Sequence, residues 1–428
     1  MKTCILLSLT AGLLCWSASA QTADGWVSQG RSYLAVHDIT DANASFAQAL
    51  ALDPKNENAN ALNAVTRLLV LPSQPPGSNF LTRIGFPVAG RNIYGWTSVL
   101  PKDAHGLLLA PSGVSASEFT AQLRTNVLPA ISGAIGNLAA ITDTNFTISL
   151  TRSETDITGV TMDYGDLKLI QAGLYASEYF IYTLNAQNLD AQLTAIRALY
   201  TNGTLSAGQI LADYPQLFTF ATTNDLQAAS AAFTNAVSCY MAASTFIRSR
   251  PPGEVRLFNY DEVTAKSEAD FRLTLQDLKN SLEEGPQFMA VNPDMMVDMS
   301  AQFSGDTSWR SLLPKFAGNA IELGTLPDET FGGVISGFTR DQVENSLSRS
   351  FVMVPVAHTP ILLSDDSLEI GFSSIRGHYY VLQASTDLVN WEYEWPVLWA
   401  AGSTSIITNS SLNSFPARYY RLQDFSYW

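Results

Sequence analysis

Cysteine, histidine and positive charge are all scarce in this chain of 428 residues. It contains three cysteines, four histidines, and 24 lysines and arginines against 39 aspartates and glutamates, so its formal net charge is −15. An acidic surface repels phosphate groups, so no nucleic-acid partner is expected and anionic membrane surfaces are disfavoured. With 46% hydrophobic residues, the chain can bury a large core, which excludes wholesale disorder.

Long apolar runs are missing after the first twenty residues, so no transmembrane segment is expected. Residues 1–20 combine a lysine, an apolar run that ends at Trp16 and small residues up to Ala20. This is the pattern of a secretory signal peptide that is cleaved after Ala20. Lipidation at Cys15 is the alternative, which the bulky Leu14 before it disfavours. The sequence therefore predicts a secreted protein that is extracellular, periplasmic or on the cell surface.

Motifs that carry catalysis or bind metals are also missing. The histidines share no metal-ligand spacing, and the sequence has no nucleophile elbow, phosphate loop or calcium loop. No cofactor and no metal are therefore expected. Cys239 is the sole cysteine after Ala20, and its apolar context favours a buried small hydrophobe over a nucleophile. The sequence leaves catalysis open and favours a protein that is not an enzyme.

The only residues in the sequence that suggest acid–base catalysis are carboxylates in one long apolar segment. A glycosidase needs two carboxylates, and Asp163 and Asp166 stand three residues apart at the start of this segment. The same spacing is typical of helix capping, which is the interpretation that we favour. Glu178 lies midway along the segment, where a buried carboxylate needs a partner. Arg248 or Arg250 is predicted to supply that partner in a structural ion pair.

The segment after the predicted signal peptide carries the most specific pattern in the chain. Residues 23–56 repeat small and large apolar types every three or four positions, and Asp53-Pro54 ends the pattern. Small residues let two helices cross closely, and large residues fill the space around the crossing. The pattern consists of Trp26, Gly30 and Tyr33 on a first helix and Ala42, Phe46 and Ala49 on a second.

This pattern resembles a tetratricopeptide repeat, a family of helix pairs that bind proteins. The resemblance implies a repeat-like helical unit over 21–71. The next segment departs from the family, because Asn60 and Arg67 stand where large apolar residues are expected. Solenoid repeats need several neighbours for stability. A packing appendage and a partner-binding role for this single copy therefore stay equally open.

Helical periods dominate the middle of the chain, which we predict to be an α-helical domain over 78–355. The long predicted helices cover 117–138 with a kink at Pro129, 163–184, 224–248, and 261–284 with Phe271 facing inward. The remaining predictions are a linker over 72–87, an extended segment over 92–96 and a minor hairpin from 147–150 and 159–162. Asp163-Tyr164-Gly165-Asp166 and Leu326 to Gly333 resemble segments of uncharacterised secreted bacterial proteins. No activity is known for those proteins, so this resemblance does not indicate a function.

The spacing of apolar residues changes from helical to alternating after Pro355. Five strands are predicted over 367–372, 379–385, 392–399, 404–408 and 418–423, which is typical of a small β-sandwich over 363–428. YYVLQASTDLVNWE and PARYYRLQ resemble a C-terminal β-module on exported proteins of the Verrucomicrobia and their relatives. The resemblance implies an accessory domain with no known catalytic residues, for which attachment, sorting and surface display are the expected roles.

Aromatic residues are the candidate binding residues of both ends of the chain: Trp26, Tyr33, Trp391, Trp395 and Trp399. In the β-module, alternation places at least half of the aromatic rings in the core, and we favour core packing for the cluster. Rings that are exposed instead would form a platform for sugar rings. The feature that discriminates the two interpretations is therefore the solvent exposure of these rings.

The sequence predicts a mainly α protein, with a repeat-like N-terminal helix pair and a small C-terminal all-β sandwich. The favoured function is an exported non-enzymatic protein for protein interaction or envelope assembly, with the β-module as its attachment module. Its partner would be a protein of the envelope or the extracellular space. A carbohydrate-binding protein, with polysaccharide as its partner, is the alternative, and a glycan hydrolase is a more distant one.

Overall fold

Helices occupy about 49% of the chain and strands about 18%, so the fold is mixed α and β, with helices dominant. The computed structural model describes residues 21–86, 102, 106, 114–156, 158–251, 253–364, 367–409 and 418–425. The predicted signal peptide and the extended segment over 92–96 lie outside these residues. Within this described part, every helix is too short or too polar to cross a membrane.

The described residues form fifteen α-helices. They are α1 Ala23–Ala35, α2 Ile39–Leu52, α3 Glu57–Leu69, α4 Gly77–Arg83, α5 Ala116–Gln122, α6 Leu128–Ala139, α7 Arg152–Thr155, α8 Tyr164–Ala186, α9 Leu193–Thr201, α10 Ala207–Asp213, α11 Asn224–Arg248, α12 Glu262–Glu284, α13 Met299–Phe303, α14 Trp309–Leu312 and α15 Arg340–Ser348. A π-helical turn, Leu123–Val127, joins α5 to α6 directly before Pro129, where the sequence predicts a kink.

Fourteen strands lie in five small sheets of the described chain. They are β1 Thr147–Leu150, β2 Val160–Asp163, β3 Gln287–Met289, β4 Asn292–Val297, β5 Phe316–Ala317, β6 Ala320–Glu322, β7 Ile335–Ser336, β8 Met353–Val354, β9 Ile361–Leu362, β10 Leu368–Ser373, β11 Tyr379–Ser385, β12 Glu392–Trp399, β13 Thr404–Asn409 and β14 Tyr419–Asp424. The sheet orders are β1-β2, β3-β4-β7, β5-β6-β8, β13-β10-β9 and β12-β11-β14. Only the β6-β8 pair among these is parallel.

The helix pair expected over residues 23–56 is confirmed as α1 and α2. Each helix is capped by the polar residue before it, Thr22 for α1 and Asp38 for α2, whose side chain accepts a hydrogen bond from a backbone N–H of the first turn. Gly30 faces the ring of Phe46 so closely that a Cβ atom there would overlap it. The glycine therefore sets the distance at which the two helices cross.

The N-terminal helices share one hydrophobic core with the body of the protein. Buried residues from Val27 on α1 to Leu167 on α8 form a continuous cluster, which also includes α3, α6 and the β1-β2 hairpin. At its edge, Arg31 Nε donates a hydrogen bond of 2.7 Å to Glu154 Oε1. This arrangement supports a packing role for the repeat-like unit.

The body differs from the all-helical domain expected over 78–355. Segment 72–87, expected as a linker, contains α4, and residues after Glu284 form the short strands β3 to β8. These strands have two to six residues each, which is too short for a periodic signal. Phe271, expected to face inward, is 48% exposed, because α12 packs chiefly through Leu278 and Leu282.

All five predicted C-terminal strands are present, together with the short strand β9. The sheets β13-β10-β9 and β12-β11-β14 share a core between them. Tyr380 is fully buried in it, and its ring centroid is 5.2 Å from that of Phe372 on β10. The buried members of this core are Ile370, Phe372, Tyr380, Leu382, Ala400 and Ile407.

Candidate functional site

The paired aspartates at the start of α8 have a structural role. Asp163 and Asp166 form a capping box, as predicted, in which each side chain accepts the backbone N–H of the other residue at 3.1 Å. Arg250 Nη2 lies 2.5 Å from Asp163 Oδ1 and 3.0 Å from Asp166 Oδ1, and the backbone N–H of Phe258 also donates to Asp166. Both carboxylates are buried and fully engaged, so neither is free for acid–base chemistry.

The predicted ion pair between Glu178 and an arginine is wrong. Arg248 pairs with Glu268, and Arg250 pairs with the α8 aspartates. Glu178 is buried and makes no hydrogen bond or ion pair within the described residues. Burial raises the pKa of its carboxyl group. Within the described residues no acid or nucleophile is hydrogen-bonded to this carboxyl group, so Glu178 alone does not define a catalytic site.

Two of the larger cavities among the described residues lie on the body and beside it. A polar cavity of about 470 Å³ separates α15 from the C-terminal strands. Two of its three carboxylates are engaged: Glu344 accepts the backbone N–H of Gly324 at 2.9 Å, and Glu329 lies 3.5 Å from Arg340. Burial also raises the pKa of Glu344. These two contacts hold the loops that contain Gly324 and Glu329 against α15.

The second cavity is an apolar groove of about 340 Å³ between α8, α11 and α12. Small residues on α8 form its floor, and nothing lies within 4 Å of where a Cβ atom of Gly173 would be. Phe233 and Phe271 stand on the facing helices. We call this feature the apolar groove. Within the described residues, no group of three or more histidine, cysteine or acidic side chains is placed to hold a metal ion.

The outer side of sheet β12-β11-β14 carries a cluster of exposed aromatic rings. Paired residues of antiparallel strands point to the same side of a sheet. Tyr379 pairs with Trp399, Gln383 pairs with Tyr393 and Arg421, and Ser385 pairs with Tyr419. We define the aromatic face by Tyr379, Trp391, Tyr393, Trp399, Tyr419 and Phe425.

The rings of the aromatic face are exposed to solvent, and they cover the middle strand β11. Five of the six rings are between 41% and 52% exposed, and Trp391 is half-buried. Tyr393 reaches across the sheet to Phe425, with ring centroids 6.1 Å apart. The middle-strand residues Val381 and Gln383 are buried as a result. The face is therefore a layer of rings with polar groups between them.

A tight turn fixes Trp391 at one end of the aromatic face. In the β11-β12 turn, Asp387 accepts the backbone N–H groups of Val389 and Asn390 at 2.8 and 2.7 Å. These bonds hold the pKa of the Asp387 carboxyl group well below its usual range. Trp391 Nε1 donates to the carbonyl oxygen of Leu388 at 3.2 Å. The indole ring is thus held in place, with the guanidinium carbon of Arg421 4.2 Å from its centroid.

The structure separates the predicted site residues into two groups. Trp391 and Trp399 belong to the aromatic face, and the side chain of Trp395 lies outside the described residues. Trp26 and Tyr33 are half-buried and pack against the N-terminal core, far from these strands in the sequence. Sequence reasoning missed Tyr393 and Phe425, although alternation along β12 and β14 could have placed them beside the tryptophans.

Comparison with known proteins adds no relative. No protein-family model, no curated protein and no solved structure matches the chain. The aromatic face, the apolar groove and the polar cavity are therefore judged on their own geometry. Of these three, the aromatic face alone combines exposed rings, hydrogen-bonding groups and a rigid scaffold.

Proposed function

We propose that the chain is an exported, non-enzymatic protein that attaches to polysaccharide through its C-terminal strands. In this proposal the two C-terminal sheets form a small β-sandwich, and its aromatic face is the binding surface. The single observation that carries the proposal is the solvent exposure of five aromatic rings on one side of one sheet. Monomeric proteins rarely leave such a patch open unless it binds something.

Sugar rings suit this surface better than another protein does. A pyranose has apolar C–H faces and a rim of hydroxyl groups, so it needs flat apolar surfaces with hydrogen-bonding groups between them. Tyr379 and Trp399 stand side by side and supply the apolar surface, and Gln383, Arg421 and Gln423 supply the hydrogen-bonding groups. Tyrosine and tryptophan also lose little conformational entropy on binding.

The test is electrophoresis of the chain through native gels that contain soluble polysaccharides, among them xylan, mannan and hydroxyethylcellulose. We expect at least one polysaccharide to retard the protein. Tyr379→Ala with Trp399→Ala should weaken that binding by at least about tenfold, because buried aromatic anchors dominate binding energy. Phe180→Ala with Tyr200→Ala is the matched control, since both rings are exposed on the helical body. Binding that survives loss of Tyr379 and Trp399 would contradict the proposal.

The apolar groove supports protein interaction as a second function, which would be carried by the helical body. A groove of about 340 Å³ lined by apolar side chains fits an apolar side chain of a partner protein. The test is affinity capture from the envelope of the native host. Gly173→Leu should fill the groove and abolish capture of a retained protein, whereas Gly136→Leu should not. Both glycines have open space where a Cβ atom would lie, and thermal unfolding of each variant checks that it remains folded.

A further inference from the structure

Charge is distributed unevenly around sheet β12-β11-β14. The acidic residues of these strands belong to its other side, since Glu392, Glu394 and Asp424 pair with Ala384, Leu382 and Tyr380, which line that side. On the outer side, Arg421 is the sole charged residue among the described residues of the three strands. A cation that forms no ion pair within the described residues stands out in a protein whose net charge is −15.

Arg421 is positioned for a ligand that the protein itself does not supply. Its Nε donates to Gln383 Oε1 at 2.6 Å, and its guanidinium lies 4.2 Å from the centroid of the Trp391 ring. Across the described chain no carboxylate forms an ion pair with it. Gln383 thus fixes the Nε edge of the guanidinium, the residue is exposed, and its two terminal nitrogens make no hydrogen bond within the described residues. That pair of nitrogens matches the two oxygens of a carboxylate.

We infer that the aromatic face selects a polysaccharide that bears uronic acids, with Arg421 binding the sugar carboxylate. This inference rests on the proposed function, because the aromatic rings must first bind the sugar chain. One arginine matches one carboxylate. The acidic protein as a whole repels a chain that is charged at every sugar. The favoured ligand therefore has a neutral backbone with scattered uronic acids.

The test compares glucuronoxylan with the same polysaccharide after chemical reduction of its carboxyl groups. We expect the full chain to bind glucuronoxylan about tenfold more tightly than the reduced form, because charge-assisted bidentate bonds are among the strongest polar contacts. Arg421→Gln should bring that ratio close to one. Arg421→Lys should give an intermediate ratio, since it keeps the charge and loses the paired donors. Arg349→Gln, which removes an exposed cation from the body, should leave the ratio unchanged.

Each other outcome overturns a defined part of the inference. Equal binding of both xylan forms, or a ratio that Arg421→Gln does not change, refutes the role of Arg421 and leaves polysaccharide binding intact. Tighter binding of polygalacturonate or dextran sulfate than of glucuronoxylan refutes the preference for scattered carboxylates. Failure to bind any polysaccharide refutes the proposed function together with the inference. Thermal unfolding of each variant checks that the C-terminal strands remain folded.

Discussion

Removing the Arg250 side chain should destabilise the helical body strongly. The guanidinium is 7% exposed and contacts Asp163 and Asp166, whose side chains are 7% and 0% exposed. Arg250→Met therefore leaves two buried carboxylates without their main cation, which costs about 3–5 kcal/mol for comparable pairs. Backbone N–H groups still bind both carboxylates, and Arg256 Nε remains 3.6 Å from Asp163 Oδ2. These remaining contacts limit the loss in the free energy of unfolding to that range.

Urea denaturation followed by far-UV circular dichroism measures this cost, because the signal is dominated by the helices of the body. In the Arg250→Met background, Asp163→Asn should recover more than about 1 kcal/mol, since asparagine still caps α8 and carries no charge. Arg349→Met at the surface should change stability by less than about 0.5 kcal/mol. A cost below about 1 kcal/mol for Arg250→Met would show that Arg250 does not neutralise the aspartates.

Two further substitutions test the packing and the buried acid. Gly30→Ala should destabilise the chain by about 1–3 kcal/mol in the same assay, because its new methyl group overlaps Phe46. Gly136→Ala is the control: its methyl group enters open space, so this change should stabilise the chain by up to about 1 kcal/mol. The raised pKa of Glu178 means that the folded state holds its proton more tightly, so stability falls as pH rises through the range above the ordinary pKa. Glu178→Gln should therefore raise the melting temperature more at neutral pH than at acidic pH, and an equal rise at both would contradict the assignment.

Local features of the fold were predictable from the sequence, whereas contacts between residues that are far apart in the sequence were not. The capping box at Asp163 and Asp166 spans three residues, and the crossing of α1 and α2 follows from small residues at fixed spacing. Arg250 lies 87 residues from Asp163, and no sequence pattern relates the two. The same limit explains the wrong partner for Glu178, because both arginines near the end of α11 bind other acids.

The aromatic face was predictable only in part, for a different physical reason. Alternation separates Tyr379 from Tyr380 along β11, yet both are tyrosines, so the sequence does not indicate which one enters the core. The irregular register between Tyr380 and Leu382 also hides the alignment of Trp399 with Tyr379. The exposure of these rings depends on which side of the sheet meets β10 and β13, and that is a property of the assembled fold.

The shared N-terminal core has a consequence for how the chain acquires its structure. Arg31 meets Glu154, which is synthesised 123 residues later. At typical elongation rates this interval lasts on the order of ten seconds. During that time the apolar sides of α1 and α2 pack only against each other and against α3, because α6, the β1-β2 hairpin and α8 do not yet exist. The first helices to be made are therefore among the last whose packing is completed.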